Sequence, residues 1–146
     1  MFRGSAAAKI DAKGRLKVPT EFRRLLDERY GLDVFVTSID GQSALLYPLT
    51  VWEGVEARLA AMPSTERVKR RFLERVNYFG QQLQLDSQGR VLMPQLLRDR
   101  AQMTGGVVIS GRLDHFEIWN QERFDARLDQ EPFTDEDFDV LARFGV

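Results

Sequence analysis

The chain has 146 residues, 43% apolar and 29% charged, with a net charge of −1. That is enough apolar material for a core and excludes a disordered chain. No run approaches the roughly 18 apolar residues of a membrane span. Cysteine is absent, which excludes disulfides, thiolate zinc sites and cysteine nucleophiles and suits a reducing cytoplasm.

The first segment, Met1-Phe2-Arg3-Gly4, lacks the apolar stretch of a signal peptide. Ala8 and Ile10 then predict a strand. Ala12-Lys13-Gly14 reads as a tight turn with Gly14 at positive φ, and Leu16 and Val18 resume the strand. Pro19 ends it and suits a helix start. Phe22, Leu25 and Leu26 line one face of a short helix, which Gly31 stops. Val34–Ile39 and Ala44–Tyr47 predict two strands joined at Asp40-Gly41. Thr50 and Glu53 have capping-box spacing and open a helix to about Met62. Pro63-Ser64 breaks it. Val68, Phe72, Val76 and Phe79 predict one buried face of a second helix, ending at Gly80. Leu83 and Leu85 then begin the same order again. A short helix follows at Leu96, Leu97 and Ala101, and Val107–Ile109 pairs with Phe116–Trp119 across a turn near Gly111–Asp114. Thr134 and Asp137 are placed to cap a last helix, with Asp135, Glu136 and Asp137 favoured at its start.

The recurrence is literal. Asp11-Ala12-Lys13-Gly14-Arg15-Leu16-Lys17-Val18-Pro19 reappears 75 residues later as Asp86-Ser87-Gln88-Gly89-Arg90-Val91-Leu92-Met93-Pro94. Phe22-Arg23 and Leu97-Arg98 follow at the same offset. This implies a duplicated half-domain. Each half is too small to bury much alone, so two halves could close one barrel, each covering the other's open edge. The expected division is repeat one at 5–51, connecting helices at 52–80, repeat two at 81–124 and a helical tail at 125–146. The fold class is α+β, mainly β.

The Asp-x-x-x-Arg spacing sets an acid before each turn and a base after it, where the two can pair across the ladder. Asp11 and Asp86 read as turn-stabilising groups that orient Arg15 and Arg90. A planar donor displayed beside a turn suits phosphate oxygens or a guanine edge. Arg3, Lys9, Lys13, Lys17, Arg23 and Arg24 surround copy one. Copy two replaces Lys13 by Gln88, Lys17 by Leu92 and Arg24 by Asp99. Residues 1–75 thus carry a net +4 and residues 76–146 a net −5, which predicts a basic patch built mainly by the first half. Leu92 predicts that its face is covered, as by a neighbouring subunit.

These features together, namely Met1-Phe2-Arg3-Gly4, the two Asp-x-x-x-Arg motifs and the spacing between them, resemble the MraZ family of bacterial DNA-binding proteins with two tandem SpoVT-AbrB-type domains. The resemblance runs from Met1 to about Leu128. It implies a β-barrel of two pseudo-symmetric swapped-hairpin halves with flanking helices. It also implies a cytoplasmic, nucleoid-associated transcriptional regulator that binds short direct repeats in the promoter of its own division and cell-wall operon. Such a protein assembles as a ring of about eight or more subunits. The DNA-facing residues it implies are Arg3, Lys13, Arg15 and Lys17, together with Arg90, and Asp11 and Asp86 are the motif acids.

Two other function classes remain to be weighed. An enzyme would need Asp11 and Asp86 as an acid–base pair in a shared cleft. A purely structural ring would not need Arg15. No catalytic, metal or cofactor motif is present, and no small-molecule substrate is implied. His115, the single histidine, lacks a second ligand. Lys69-Arg70-Arg71 reads as a solvated helix face or a second contact, and Trp52 and Trp119 as core or interface anchors.

Overall fold

A computed structural model describes residues 1–146. Eight strands and six helices follow in chain order. The first half holds β1 (Ser5–Ile10), β2 (Arg15–Lys17), α1 (Thr20–Arg29), β3 (Asp33–Thr37) and β4 (Ala44–Pro48). Two helices connect the halves, α2 (Leu49–Ala61) and α3 (Arg67–Tyr78). The second half repeats the order with β5 (Gln81–Gln84), β6 (Arg90–Leu92), α4 (Gln95–Arg100), β7 (Gly105–Gly111) and β8 (Phe116–Asn120). Helices α5 (Gln121–Gln130) and α6 (Asp135–Ala142) end the chain. No helix is long and apolar enough to cross a membrane.

The strands form one antiparallel sheet in the order β5-β3-β4-β8-β7-β1-β2-β6. Its first and last strands, β5 and β6, are joined by the Asp86–Gly89 turn, so the sheet curls into a nearly closed barrel. Hence the fold is α+β, mainly β, and barrel-like. The halves interlock rather than sit side by side. Strand β2 pairs with β6 of the other half, with Leu16 opposite Val91, and β1 pairs with β7 along its whole length. Past the ribbon, Val18 donates its N–H to the Gly89 carbonyl and Met93 donates to the Gly14 carbonyl, both at 2.9 Å. Each half thereby completes the hairpin of the other.

The core is common to both halves. Leu16, Val18 and Leu26 pack in one cluster with Val91, Met93 and Leu97, all essentially inaccessible. Phe2 enters the same cluster, its ring 4.2 Å from that of Phe116. Gly111 admits it, since a β-carbon there would lie 2.5 Å from the Phe2 carbonyl oxygen.

Two expectations change. Helix α2 starts at Leu49 behind an N-cap Pro48, without a side-chain cap. The proline's fixed φ starts the helix early enough that Thr50 falls inside it and cannot cap. The apolar face of α3 fades along its length: Val76 and Phe79 are buried, Phe72 is half-buried, and Val68 is 66% exposed, because the helix runs past the barrel. Leu92 is 48% exposed in the single chain, which leaves its face open to the neighbouring subunit expected to cover it. The last helix does form with both halves of its capping box, Thr134 and Asp137.

Gly14 and Gly89 sit at φ +84° and +75°. A β-carbon on Gly14 would collide with the Arg98 guanidinium, and one on Gly89 would lie 2.7 Å from Arg23 Cδ. Gly14→Ala and Gly89→Ala are each expected to destabilise the fold by about 1–2 kcal/mol from the left-handed backbone alone. Denaturant titration checks this, and unchanged midpoints would contradict it.

Candidate nucleic-acid interface

The two motif turns have one geometry. Gly14 donates its N–H to the Asp11 carbonyl and Asp11 donates to the Arg15 carbonyl, both at 2.9 Å. This is a three-residue hairpin loop with a left-handed glycine at its end. The Asp11 carboxylate accepts from the N–H groups of Lys13 (3.0 Å) and Arg15 (2.8 Å), and from Arg15 Nε at 2.9 Å. Asp86 repeats each contact, with Gln88 at 2.9 Å, Arg90 N–H at 2.9 Å and Arg90 Nε at 2.8 Å. Short side chains that accept from the backbone two residues on favour such turns.

Chemically, the important detail is which guanidinium edge the acid takes. Each aspartate holds Nε, and no protein acceptor is bonded to either terminal nitrogen of Arg15 or Arg90. The outer two-nitrogen fork is left without a protein acceptor, and that edge matches phosphate or the guanine O6/N7 pair. Backbone donation from Arg15 is the main cause that holds the Asp11 carboxyl below the usual aspartate range, and Arg90 does the same for Asp86. A carboxyl so held is ionised at neutral pH and is a poor general acid. The shared cleft that an acid–base pair needs is not what these residues build, since each acid is engaged in its own turn.

Pairing of β2 with β6 then combines the two motifs. Leu16 and Val91 point into the core, so Arg15, Lys17, Arg90 and Leu92 alternate onto the outer face. Lys17 lies opposite Arg90 and Arg15 opposite Leu92. The result is a two-stranded ribbon whose outer face carries half-buried Arg15 and Arg90 beside exposed Lys17 and Leu92, flanked by Lys13 at one turn and Gln88 at the other. Lys9 lines a shallow groove with Lys17 along the same side. It belongs with the ribbon, as its place among the cations around copy one and its outward alternation on β1 indicate.

Other cations do different work. Arg24 is tied to Glu21 and Glu28 on α1, at 3.0 Å each. Arg23 reaches across the pseudo-two-fold and donates to the Ser87 carbonyl at 3.0 Å, lying over Gly89. Its counterpart Arg98 lies over Gly14 and donates through Nε to the Met93 carbonyl at 2.9 Å. These two brace the turns, and their sequence signal was repetition at the same offset when the surplus cations do not repeat. Arg3 is not brought to the ribbon. It sits at the far end of β1, where Phe2 and Leu113 exchange hydrogen bonds, roughly 20 Å away at about 3.4 Å per residue. His115 stacks on Tyr47 with ring centroids 4.3 Å apart.

An interlocked pair of hairpins, each displaying an acid-oriented arginine on a basic ribbon, defines a double-hairpin barrel with the features of a nucleic-acid-binding domain. The model of the family described as "MraZ protein, putative antitoxin-like" matches residues 1–75 and again 80–144. The chain is 49% identical to the transcriptional regulator MraZ of Acidobacterium capsulatum over 146 residues, all of both chains. It is 42% identical to the transcriptional regulator MraZ of Koribacter versatilis over 147 residues, again all of both. The protein of the same name from Syntrophobacter fumaroxidans is 36% identical over 127 residues, 87% of this chain and 84% of that one. The chain belongs to the MraZ family, and the two matched segments agree with its tandem halves.

The depressed carboxyl pKa values fix a pH dependence. A carboxyl held low in the folded state adds stability above its unfolded pKa and loses it as pH falls through the folded one. Wild type should therefore lose, below about pH 4, stability that Asp11→Asn/Asp86→Asn lacks at every pH. Denaturant titrations at pH 7, 4 and 3 should show the gap between the two proteins closing with acid. A constant gap would contradict it.

Proposed function

We propose that this MraZ-family transcriptional regulator grips duplex DNA with the β2–β6 ribbon. A two-stranded ribbon fits the major groove of B-DNA. Arg15 and Arg90 would present their free forks to guanine edges or phosphates, Lys13 and Lys17 would meet phosphates, and Asp11 and Asp86 would hold the arginines in place. The observation that carries this reading is that both aspartates engage Nε and leave the outer fork free. Repeat one, 5–51, supplies most of the phosphate grip on this reading, and repeat two, 81–124, the second arginine. Arg3, far down β1, would meet the backbone about six base pairs from Arg15, at 3.4 Å per base pair.

The site sequence would be short direct repeats in the promoter of the protein's own division and cell-wall operon, read by a cytoplasmic, nucleoid-associated ring of about eight or more copies. Linked subunits on adjacent repeats raise effective concentration, so each needs only a weak grip. Matching repeat spacing to subunit spacing then adds specificity.

Fluorescence anisotropy with one duplex of tandem repeats from that promoter and one scrambled duplex, across a salt series, tests this. Repeat-dependent binding that weakens with salt is expected. Arg15→Ala should weaken each contact by about 1–3 kcal/mol, and Arg24→Ala, whose side chain is already paired, should not. Equal weak binding to both duplexes, indifferent to Arg15→Ala, would overturn the reading in favour of a structural ring.

A further inference from the structure

Helix α6 carries strong local signals yet has no fully buried residue, with only Leu141 half-buried. Its capping box is complete, and Phe133 packs edge-on to Phe138 with centroids 4.8 Å apart, a hydrophobic staple across the cap. Phe138, Val140 and Phe144 are exposed, Phe138 to 59%. An eight-residue helix is marginal in water by itself. Its first turn is acidic throughout, with Asp135, Glu136 and Asp137.

The complementary surface lies elsewhere on the same chain. Helices α2 and α3 form an apolar groove of about 390 Å³ between Val55, Leu59, Met62, Val68 and Phe72. Arg58 and Lys69 line its edge, Lys69 donating to the Met62 carbonyl at 3.0 Å, and exposed beside it are Arg71 and an Arg70 paired with Glu74 at 3.3 Å. The groove is open to solvent, and its five apolar side chains offer a face on which aromatic rings can lie.

We propose that α6 of one copy of this chain seats in the α2–α3 groove of the next copy, head to tail. This rests on the ring reading above and names its seam. The rings of Phe133 and Phe138 lie in the groove, and the acidic first turn faces Arg58, Lys69 and Arg71, steering and registering the contact. Because the two surfaces differ, each copy keeps one of each free, and the contact propagates until it closes.

The full-length protein by sedimentation velocity decides this. Phe138→Asp removes the tail and Val68→Asp the groove, both at exposed positions outside the barrel core. Each variant alone should sediment as a single chain, whereas wild type assembles. Mixed in equal amounts they should form one-to-one pairs, because one intact tail and one intact groove remain between them. The smaller changes Phe138→Ala and Val68→Ala should weaken assembly in the same way and serve should either Asp variant not fold. Wild type that stays single would overturn the ring reading and the seam with it, whereas either variant that assembles like wild type, or a mixture that stays single, would overturn the seam alone. Both variants keep the ribbon, so each should still bind a single-repeat duplex in an Arg15-dependent, salt-sensitive way. Loss of that binding in variants whose mixture still pairs would count against the DNA reading instead.

Discussion

The structure depends on the exchange of strand pairing between its two hairpins. Strand β2 is three residues long and pairs across the pseudo-two-fold with β6, also three residues long. Neither would persist as an isolated hairpin. Together they seal the sheet, bury Leu16 against Val91, and bring two distant stretches of chain to one ribbon. The exchange also explains why the turn glycines are bracketed by arginines from the opposite half: Arg23 holds the turn at Gly89 and Arg98 the one at Gly14. A duplicated half-domain thereby becomes a single cooperative unit.

The same exchange makes the surface chemistry. Two arginines that are 75 residues apart in sequence share one outer face, each with its acid already bonded at Nε. The acid limits the guanidinium's freedom before any ligand arrives, which lowers the entropy lost on binding. The pairing also sets Lys17 directly opposite Arg90. Like charges facing each other across a ladder are unfavourable, and Asp86 offsets part of that cost through its ion pair with Arg90. Leu92 stands where the pseudo-symmetry would put another lysine, so the two ends of the ribbon are chemically unequal.

Much of this could be read from the residues. The doubled motif gave the two turns, the acid–base pairing and the barrel, because those depend on local spacing and on a glycine that needs positive φ. The strands around Asp40-Gly41 and the Thr134 cap also follow local rules. What could not be read depends on tertiary placement. Pro48 sits at the end of β4 and starts α2 early, so the Thr50–Glu53 spacing is inert. Val68 continues an apolar stripe beyond the barrel that covers its neighbours. Arg23 looked like one more surface cation until the opposite half was laid against it, and Arg3 looked adjacent to the motif although β1 carries it to the other end.

The central claim is that both motifs form one DNA-facing ribbon. Hydrogen–deuterium exchange of the full-length protein, with and without the promoter duplex, tests it most directly. Protection on binding should rise together at residues 11–18 and 86–93. Protection confined to one motif, or found instead around Lys69–Arg71, would contradict it.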